Sequence, residues 1–156
     1  MTISGLPRDY RDMLDCMLKH GVQFLLVGGW AVAVHGHQRA TKDIDLFVNP
    51  TPENAARVLR ALAEFGAPLG GLSAADFSEP GLVFQIGTSL RIDVTTLIDG
   101  LDWNTAAQGA LEIDVDRLRV PVIGRAALLT NKRASGRKQD LADVEALDPE
   151  PDPKRG

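Results

Sequence analysis

A glycine pair followed by two aspartates on an apolar strand constrains the fold of this chain more than any other feature. An apolar run at residues 24–27 leads into Gly28-Gly29 and then into a helix-like segment, residues 30–35. After a spacer of thirteen residues, Asp43 and Asp45 begin the alternating segment 43–48. The pattern predicts a strand, a tight turn and a helix, followed by a second strand that carries both carboxylates.

The two aspartates are expected to point the same way, because side chains two residues apart in a strand share a face, about 7 Å apart along the chain. Ile44, Leu46 and Val48 form the opposite, apolar face that anchors the strand in a core. Carboxylates held together repel each other unless a cation lies between them, and oxygen ligands suit a hard cation. Asp43 and Asp45 therefore predict a Mg²⁺ site that serves a phosphorylated substrate.

The glycine turn offers a place for that phosphate. Backbone N–H groups at a helix start and the positive end of the helix dipole attract anions, and glycine lets phosphate oxygens approach the backbone. A Gly-Gly pair alone could equally serve to reverse the chain. The aspartates at this spacing favour nucleotide binding at Gly28 and Gly29.

These residues resemble the signature of the DNA polymerase beta superfamily of nucleotidyltransferases. That signature is a hydrophobic residue, Gly-Gly or Gly-Ser, a spacer, and Asp-hydrophobic-Asp/Glu-hydrophobic. Residues 27–32 and 35–45 look like the small bacterial branch that includes minimal nucleotidyltransferases and AbiEii-type toxins, and the similarity spans most of residues 22–147. The resemblance implies an α/β (α+β) polymerase-beta-like fold, with a mixed β-sheet flanked by helices.

The family also uses a third carboxylate on a later strand, and Asp93 fits. In residues 90–95, Ile92 and Val94 fall on one face, while Asp93 falls on the other with Arg91 and Thr95. A solvated strand acid is the alternative. Other acids fit less well because they lie in turn-like or hairpin segments: Asp76, Glu79, Asp99, Asp114 and Asp116.

The resemblance implies a catalytic role for all three acids. Asp43 and Asp45 would hold two Mg²⁺ ions, and Asp93 would bind the ion nearer the incoming hydroxyl and help to deprotonate it. The implied reaction moves a nucleoside monophosphate from a nucleoside triphosphate (NTP) to a hydroxyl acceptor. It is an in-line displacement at the α-phosphate in which pyrophosphate leaves.

Two basic clusters offer positive groups for the triphosphate. Arg39 and Lys42 precede the acidic strand, where Arg39 either reaches a phosphate or pairs with a carboxylate. The second cluster resembles the family's late segment through four charged residues at matching positions: Lys132, Arg137, Asp140 and Asp143. Lys132 and Arg137 are the better phosphate candidates, and the alternative is a solvated helix face with local ion pairs.

Apolar periodicity predicts the elements around these motifs. Helices are expected at residues 7–20, after the glycine turn to His35, at 52–65, at 125–133 and in a last segment to 147. Strands are expected at 24–27 and 43–48, in a hairpin of 82–86 with 90–95, and in a weaker pair, 112–115 with 117–120. Asp93 would then enter the sheet beside Asp45.

Composition predicts one domain. With 156 residues and 44% hydrophobic content, residues 1–147 can form a core, whereas the polar tail 148–156 is expected to be disordered. No stretch approaches the roughly 20 apolar residues of a transmembrane helix, and the first residues do not resemble a signal peptide. We therefore expect a cytoplasmic protein with no membrane partner, whose single cysteine, Cys16, is a buried reduced thiol.

The acceptor is less constrained than the donor. A net charge of −4 argues against a broad nucleic-acid surface, although a local basic patch can hold a short RNA end. Three interpretations remain. The first is a toxin–antitoxin or defence-type enzyme acting on a tRNA end or a partner protein. The second is an antibiotic nucleotidyltransferase of the lincosamide or aminoglycoside type, since Trp30 follows the glycines as in the lincosamide-modifying enzymes. The third is a non-catalytic nucleotide-binding or antitoxin-like partner.

The acceptor site itself is expected to come from a second subunit, because polymerase-beta-like domains commonly choose the acceptor with a second domain and this chain has little beyond the catalytic unit. A homodimer or a small helical protein partner would provide it.

Overall fold

A computed structural model of the chain describes residues 2–38 and 40–149, and within them seven strands form one mixed sheet. The strands are β1 (Thr2–Ile3), β2 (Phe24–Val27), β3 (Ile44–Val48), β4 (Val83–Ile86), β5 (Ile92–Thr95), β6 (Leu111–Val115) and β7 (Leu118–Val122). Their order across the sheet is β1-β6-β7-β2-β3-β5-β4. The described helices are α1 (Arg8–Lys19), α2 (Gly28–Val34), α3 (Pro52–Phe65), α4 (Ala74–Phe77), α5 (Trp103–Ala107), α6 (Arg125–Ser135) and α7 (Lys138–Leu147). The predicted mixed α/β architecture is confirmed.

The centre of the sheet positions the acids. Strand β2 is antiparallel to β3, and β3 is parallel to β5, which in turn pairs antiparallel with β4. In this register Asp45 lies opposite Val27 on one side and opposite Asp93 on the other. The predicted hairpin of residues 82–95 and the placement of Asp93 beside Asp45 are therefore confirmed.

Helices α1 and α3 form where helical periodicity and end signals agree. The buried side of α1 carries Tyr10, Met13, Leu14 and Met17, which repeat every three or four residues. In α3 the Thr51 hydroxyl accepts a hydrogen bond from the backbone N–H of Asn54, and the helix ends at a left-handed Gly66. The two helices pack against each other, and their observed bounds agree with the predicted ones.

Three short elements escaped the sequence prediction: β1, α4 and α5. Strand β1 has two residues, too few for a period, and is held by parallel pairing with β6. The carboxylate of Asp116 also accepts hydrogen bonds from the backbone N–H groups of Gly5 and Leu6. Contacts of this kind join residues distant in the sequence, which a local pattern does not reveal.

The C-terminal end of the described chain forms ion pairs with α6. The carboxylate of Asp148 pairs with Arg133 at 2.8 Å (Nη2–Oδ2) and with Arg125 at 3.7 Å (Nη2–Oδ1). Residues 150–156 of the predicted disordered tail lie outside the described residues. No helix in the described part of the chain is long and apolar enough to cross a membrane.

Candidate active site

The three predicted acids meet at the centre of the sheet. Asp43 immediately precedes β3, Asp45 is the second residue of β3, and Asp93 is the second residue of β5. The parallel register places Asp45 directly beside Asp93. Asp93 is buried, with 8% of its surface exposed, whereas the Asp43 side chain is about one-third exposed. The arrangement brings carboxylates from two separate chain segments into one cluster.

Arg91 connects two of these acids, a role that the sequence did not suggest. Its Nε lies 2.9 Å from Oδ1 of Asp93, and its Nη2 lies 3.1 Å from Oδ2 of Asp93. The same Nη2 lies 3.2 Å from Oδ2 of Asp43. Arg91 immediately precedes β5, and strand alternation places it on the face of Asp93, but its contact with Asp43 depends on the pairing of two strands.

The surroundings of Asp45 disfavour the ionised form of its carboxyl group. Burial, followed by the negative charges of Asp93 and Asp43, raises the pKa of Asp45 to about 6. The positive charges of Lys132 and Arg91 oppose this rise only in part. A carboxylate in such surroundings is stabilised when it binds either a proton or an additional cation.

Gly28 is required at its position for two independent reasons. Its φ angle is +68°, a left-handed conformation that residues with a side chain rarely adopt. A Cβ atom there would lie 2.2 Å from Oδ2 of Asp45 and 2.9 Å from its Cγ. The first glycine of the turn therefore leaves the space that the Asp45 carboxylate occupies.

This contact predicts that Gly28→Ala is more destabilising than Gly21→Ala, its matched control. Gly21 has nearly the same φ, +66°, but a Cβ atom added there would meet no side chain or distant backbone within 4 Å. Its substitution therefore carries only the backbone penalty of about 1–2 kcal/mol. Crowding at Gly28 adds about 1–3 kcal/mol. Urea unfolding of both variants measures the difference, and equal losses of stability would contradict the close approach.

A pocket of about 500 Å³ adjoins the acids. Five of the predicted site residues line it: Gly28, Gly29, Asp45, Lys132 and Arg137. Three others, Asp43, Asp93 and Lys42, are not among its lining residues. Lys42 accepts a hydrogen bond from the Tyr10 hydroxyl through its backbone carbonyl, and Arg39 lies outside the described residues. The pocket thus joins the glycine turn to the late basic segment.

Lys132 is neutralised within the protein. Its Nζ lies 3.1 Å from Oδ1 of Asp140 and 3.2 Å from Oδ2 of Asp143, and the three side chains are 6%, 2% and 0% exposed. Arg137 also pairs with Asp140 (Nε–Oδ2 2.8 Å), but its side chain is 78% exposed. Burial alone would raise the pKa of Asp140, yet hydrogen bonds from Arg137 and Lys132 lower it to about 2. The predicted local ion pairs exist, but those of Lys132 are buried and not solvated, whereas the Arg137 side chain is exposed.

The donor chemistry of the acid cluster fits a hard divalent cation, because its ligands are carboxylate oxygens and the charge of Asp45 is poorly compensated. The three carboxylates are, however, not arranged as a metal site. Within the described residues, no three His, Cys, Asp or Glu side chains are arranged to hold a metal ion. Instead, the Arg91 guanidinium contacts both oxygens of Asp93 and one oxygen of Asp43.

Comparison with known proteins agrees with this geometry. Residues 7–150 match the family described as nucleotidyl transferase of unknown function (DUF2204). The chain belongs to this nucleotidyltransferase family. A comparison with curated protein sequences finds no match. The family assignment confirms the predicted superfamily, while the AbiEii-like branch stays a prediction.

Solved structures share the fold of this nucleotidyltransferase. The lincosamide antibiotic adenylyltransferase LnuA, with lincomycin bound, has a TM-score of 0.60 at 16% identity, covering 91% of this chain and 96% of that one. A Thermotoga maritima protein classed as a nucleotidyltransferase has a TM-score of 0.58 at 15% identity, with 90% and 88% covered. An antigenic nucleotidyltransferase-like protein from Paracoccidioides brasiliensis has a TM-score of 0.52 at 15% identity, with 89% and 74% covered.

Proposed function

We propose that this protein is a Mg²⁺-dependent nucleotidyltransferase that moves a nucleoside monophosphate from an NTP to a hydroxyl acceptor. The observation that carries the proposal is the register that pairs Asp45 with Asp93. Beside this pair, Gly28 leaves room for the Asp45 carboxylate, and both residues line the same pocket as Arg137. The Asp45 carboxylate, the glycine turn and an exposed guanidinium at one pocket suit a nucleoside triphosphate bound with a cation.

Each group has a part in the proposed reaction. Bound Mg²⁺ would neutralise the charge that develops on the phosphate oxygens. Asp43, Asp45 and Asp93 would hold the cation, and the carboxylate of Asp93 would also receive the proton of the attacking hydroxyl. The exposed fork of Arg137 is suited to phosphate oxygens, which it can bind through two parallel N–H donors. Lys132 would contribute a charge that Asp140 and Asp143 already balance.

For the acceptor, we propose a tRNA end or a partner protein within a toxin–antitoxin or defence-type system. A second candidate is a small antibiotic, as in the lincosamide adenylyltransferase that shares this fold. One observation favours it: Val83 and Leu97 line the pocket and are 57% and 50% exposed. These two residues offer an apolar surface to a small molecule that also carries a hydroxyl.

The donor half is tested by thermal unfolding with Mg²⁺ and ATP, CTP, GTP or UTP, because a ligand that binds only the folded state raises the melting temperature. Transfer of labelled nucleotide to total RNA, to co-purified protein and to an antibiotic panel then identifies the acceptor. No stabilisation by any NTP would favour an antitoxin-like partner without nucleotide binding over the enzyme.

Asp43→Asn is expected to lower transfer at least about 100-fold, because the site loses part of the charge that holds the cation. The matched control is Asp12→Asn, which removes an exposed acid of α1 that pairs with Arg8 at 3.8 Å. Rates are compared at saturating Mg²⁺ and NTP with the acceptor found above. Full activity of Asp43→Asn would refute the proposed function.

A further inference from the structure

Arg91 is held in place by the same strand pairing that assembles the acids. Its backbone carbonyl accepts a hydrogen bond of 3.0 Å from the N–H of Ile44, the residue between Asp43 and Asp45. Its side chain, 36% exposed, reaches along β5 to Asp93. The backbone of Arg91 is therefore fixed by strand pairing, and its guanidinium lies close to the carboxylates of Asp43 and Asp93.

The fork of Arg91 engages three carboxylate oxygens. Nε and Nη2 make two hydrogen bonds to the two oxygens of Asp93, at 2.9 and 3.1 Å. Nη2 lies 3.2 Å from Oδ2 of Asp43. Charge-assisted bidentate pairs of this kind are among the stronger polar contacts in proteins. Asp93 thus has no oxygen left without a guanidinium contact.

These oxygens are also the ones that a divalent cation would need. A guanidinium and a metal ion are both positive, so they repel each other when they share one carboxylate, and each weakens the binding of the other. The contacts of Arg91 with both oxygens of Asp93 therefore oppose binding of the metal.

We propose that Arg91 is a positioning residue of the metal site: it holds Asp43 and Asp93 together when no metal is bound, and it competes with the divalent cation for their oxygens. The inference rests on the proposed function, because it takes these acids as the metal ligands. Arg91 sets the concentration of divalent cation at which the site fills. In the metal-free protein it offsets the repulsion among three clustered carboxylates.

The direction in which metal affinity changes when Arg91 is substituted distinguishes this role from a purely structural one. A residue that merely supports the ligands would, when removed, loosen the site and weaken metal binding. Removal of a competing cation strengthens it. Loss of one charge-assisted hydrogen bond in competition corresponds to about a tenfold change in affinity.

The test is Mn²⁺ binding to the chelator-treated full chain, measured by calorimetry and by the electron paramagnetic resonance signal of free Mn²⁺. Arg91→Gln removes the charge and the fork. Arg91→Lys keeps the charge but cannot hold both oxygens of Asp93 and an oxygen of Asp43 in one planar fork. Arg119→Gln is the matched control, because Arg119 pairs with Glu112 at 3.5 Å where both side chains are about two-thirds exposed.

We expect Arg91→Gln to bind Mn²⁺ about tenfold more tightly than the wild type, with Arg91→Lys between them and Arg119→Gln unchanged. We also expect Mn²⁺ to raise the melting temperature of Arg91→Gln by more than that of the wild type. Weaker or unchanged binding by both Arg91 variants, with binding still lost in Asp43→Asn, would overturn the role of Arg91 and leave the metal site standing. Binding that is insensitive to Asp43→Asn would overturn both proposals.

Discussion

Asp45→Asn is expected to abolish nucleotidyl transfer and, at the same time, to stabilise the metal-free protein at neutral pH. The loss of activity follows from the proposed cation site, where an amide cannot supply the charge of the carboxylate. The gain in stability follows from the raised pKa of Asp45, whose ionised form is disfavoured by burial and by Asp93 and Asp43. Function and stability therefore make opposite demands on this one residue.

The pH dependence has a definite sign. Because the pKa of Asp45 rises from 3.8 in the unfolded chain to about 6 in the folded protein, the folded state binds more protons between these values. Its contribution to stability is therefore greatest at low pH and is lost as the pH rises from about 4 to about 6. The full penalty at pH 7.5 is at most about 3 kcal/mol. An asparagine does not titrate and carries no such penalty.

The measurement is urea unfolding of the wild type and Asp45→Asn in chelator, at several pH values from 4 to 7.5. The free energy of unfolding of the variant should exceed that of the wild type by an amount that grows across this range. Mg²⁺ should stabilise the wild type and have little effect on the variant. A variant that is less stable than the wild type at pH 7.5 without metal would contradict the raised pKa of Asp45.

Lys132→Met is expected to lower the free energy of unfolding by about 3–5 kcal/mol, a large fraction of the stability of a small domain. Without the ammonium group, the carboxylates of Asp140 and Asp143 remain buried and close to each other. Arg137 still pairs with Asp140, but Asp143, which is 0% exposed, also loses a charged partner. Breaking one member of a buried ion cluster is costly because the remaining charge is not hydrated.

Arg119→Met provides the control, since its exposed pair with Glu112 contributes at most about 1 kcal/mol. The double substitution Lys132→Met with Asp143→Leu should recover part of the loss, because it removes both charges of one buried ion pair. A loss below about 1 kcal/mol for Lys132→Met would show that water hydrates the cluster. Any loss of transfer in Lys132→Met must therefore be compared with its stability before Lys132 is assigned to phosphate binding.

Much of the site could be predicted because its residues lie in segments with strong local patterns. The apolar residues of segment 43–48 indicate a strand, so the common face of Asp43 and Asp45 follows from alternation alone. The same alternation in residues 90–95 indicates Asp93, and the observed pairing of Asp45 with Asp93 confirms that placement. Backbone freedom alone favours Gly28 in the turn, and its contact with the Asp45 carboxylate adds a second reason.

The contacts of the charged side chains could not be predicted in this way. The charge of Lys132 and its place in the late segment are compatible with a phosphate ligand or a local ion pair, and only the structure shows that two buried aspartates neutralise it. In the sequence Arg91 is only a neighbour of Asp93 on the strand, yet it connects β5 to Asp43. Whether a charged group is available to a ligand depends on which opposite charges packing places beside it.

Local patterns in the sequence were sufficient for the strand that carries Asp43 and Asp45, the glycine turn, and the later strand that carries Asp93. Each of these follows from a periodicity of two or from a glycine requirement, which are properties of the local backbone. Two further features became evident only in the folded sheet: the contacts of Arg91 with acids on two strands, and the burial of the ion pairs that balance Lys132. Burial and ion pairing depend on groups far apart in the sequence, such as Asp43 and Arg91, which only strand pairing brings within hydrogen-bonding distance.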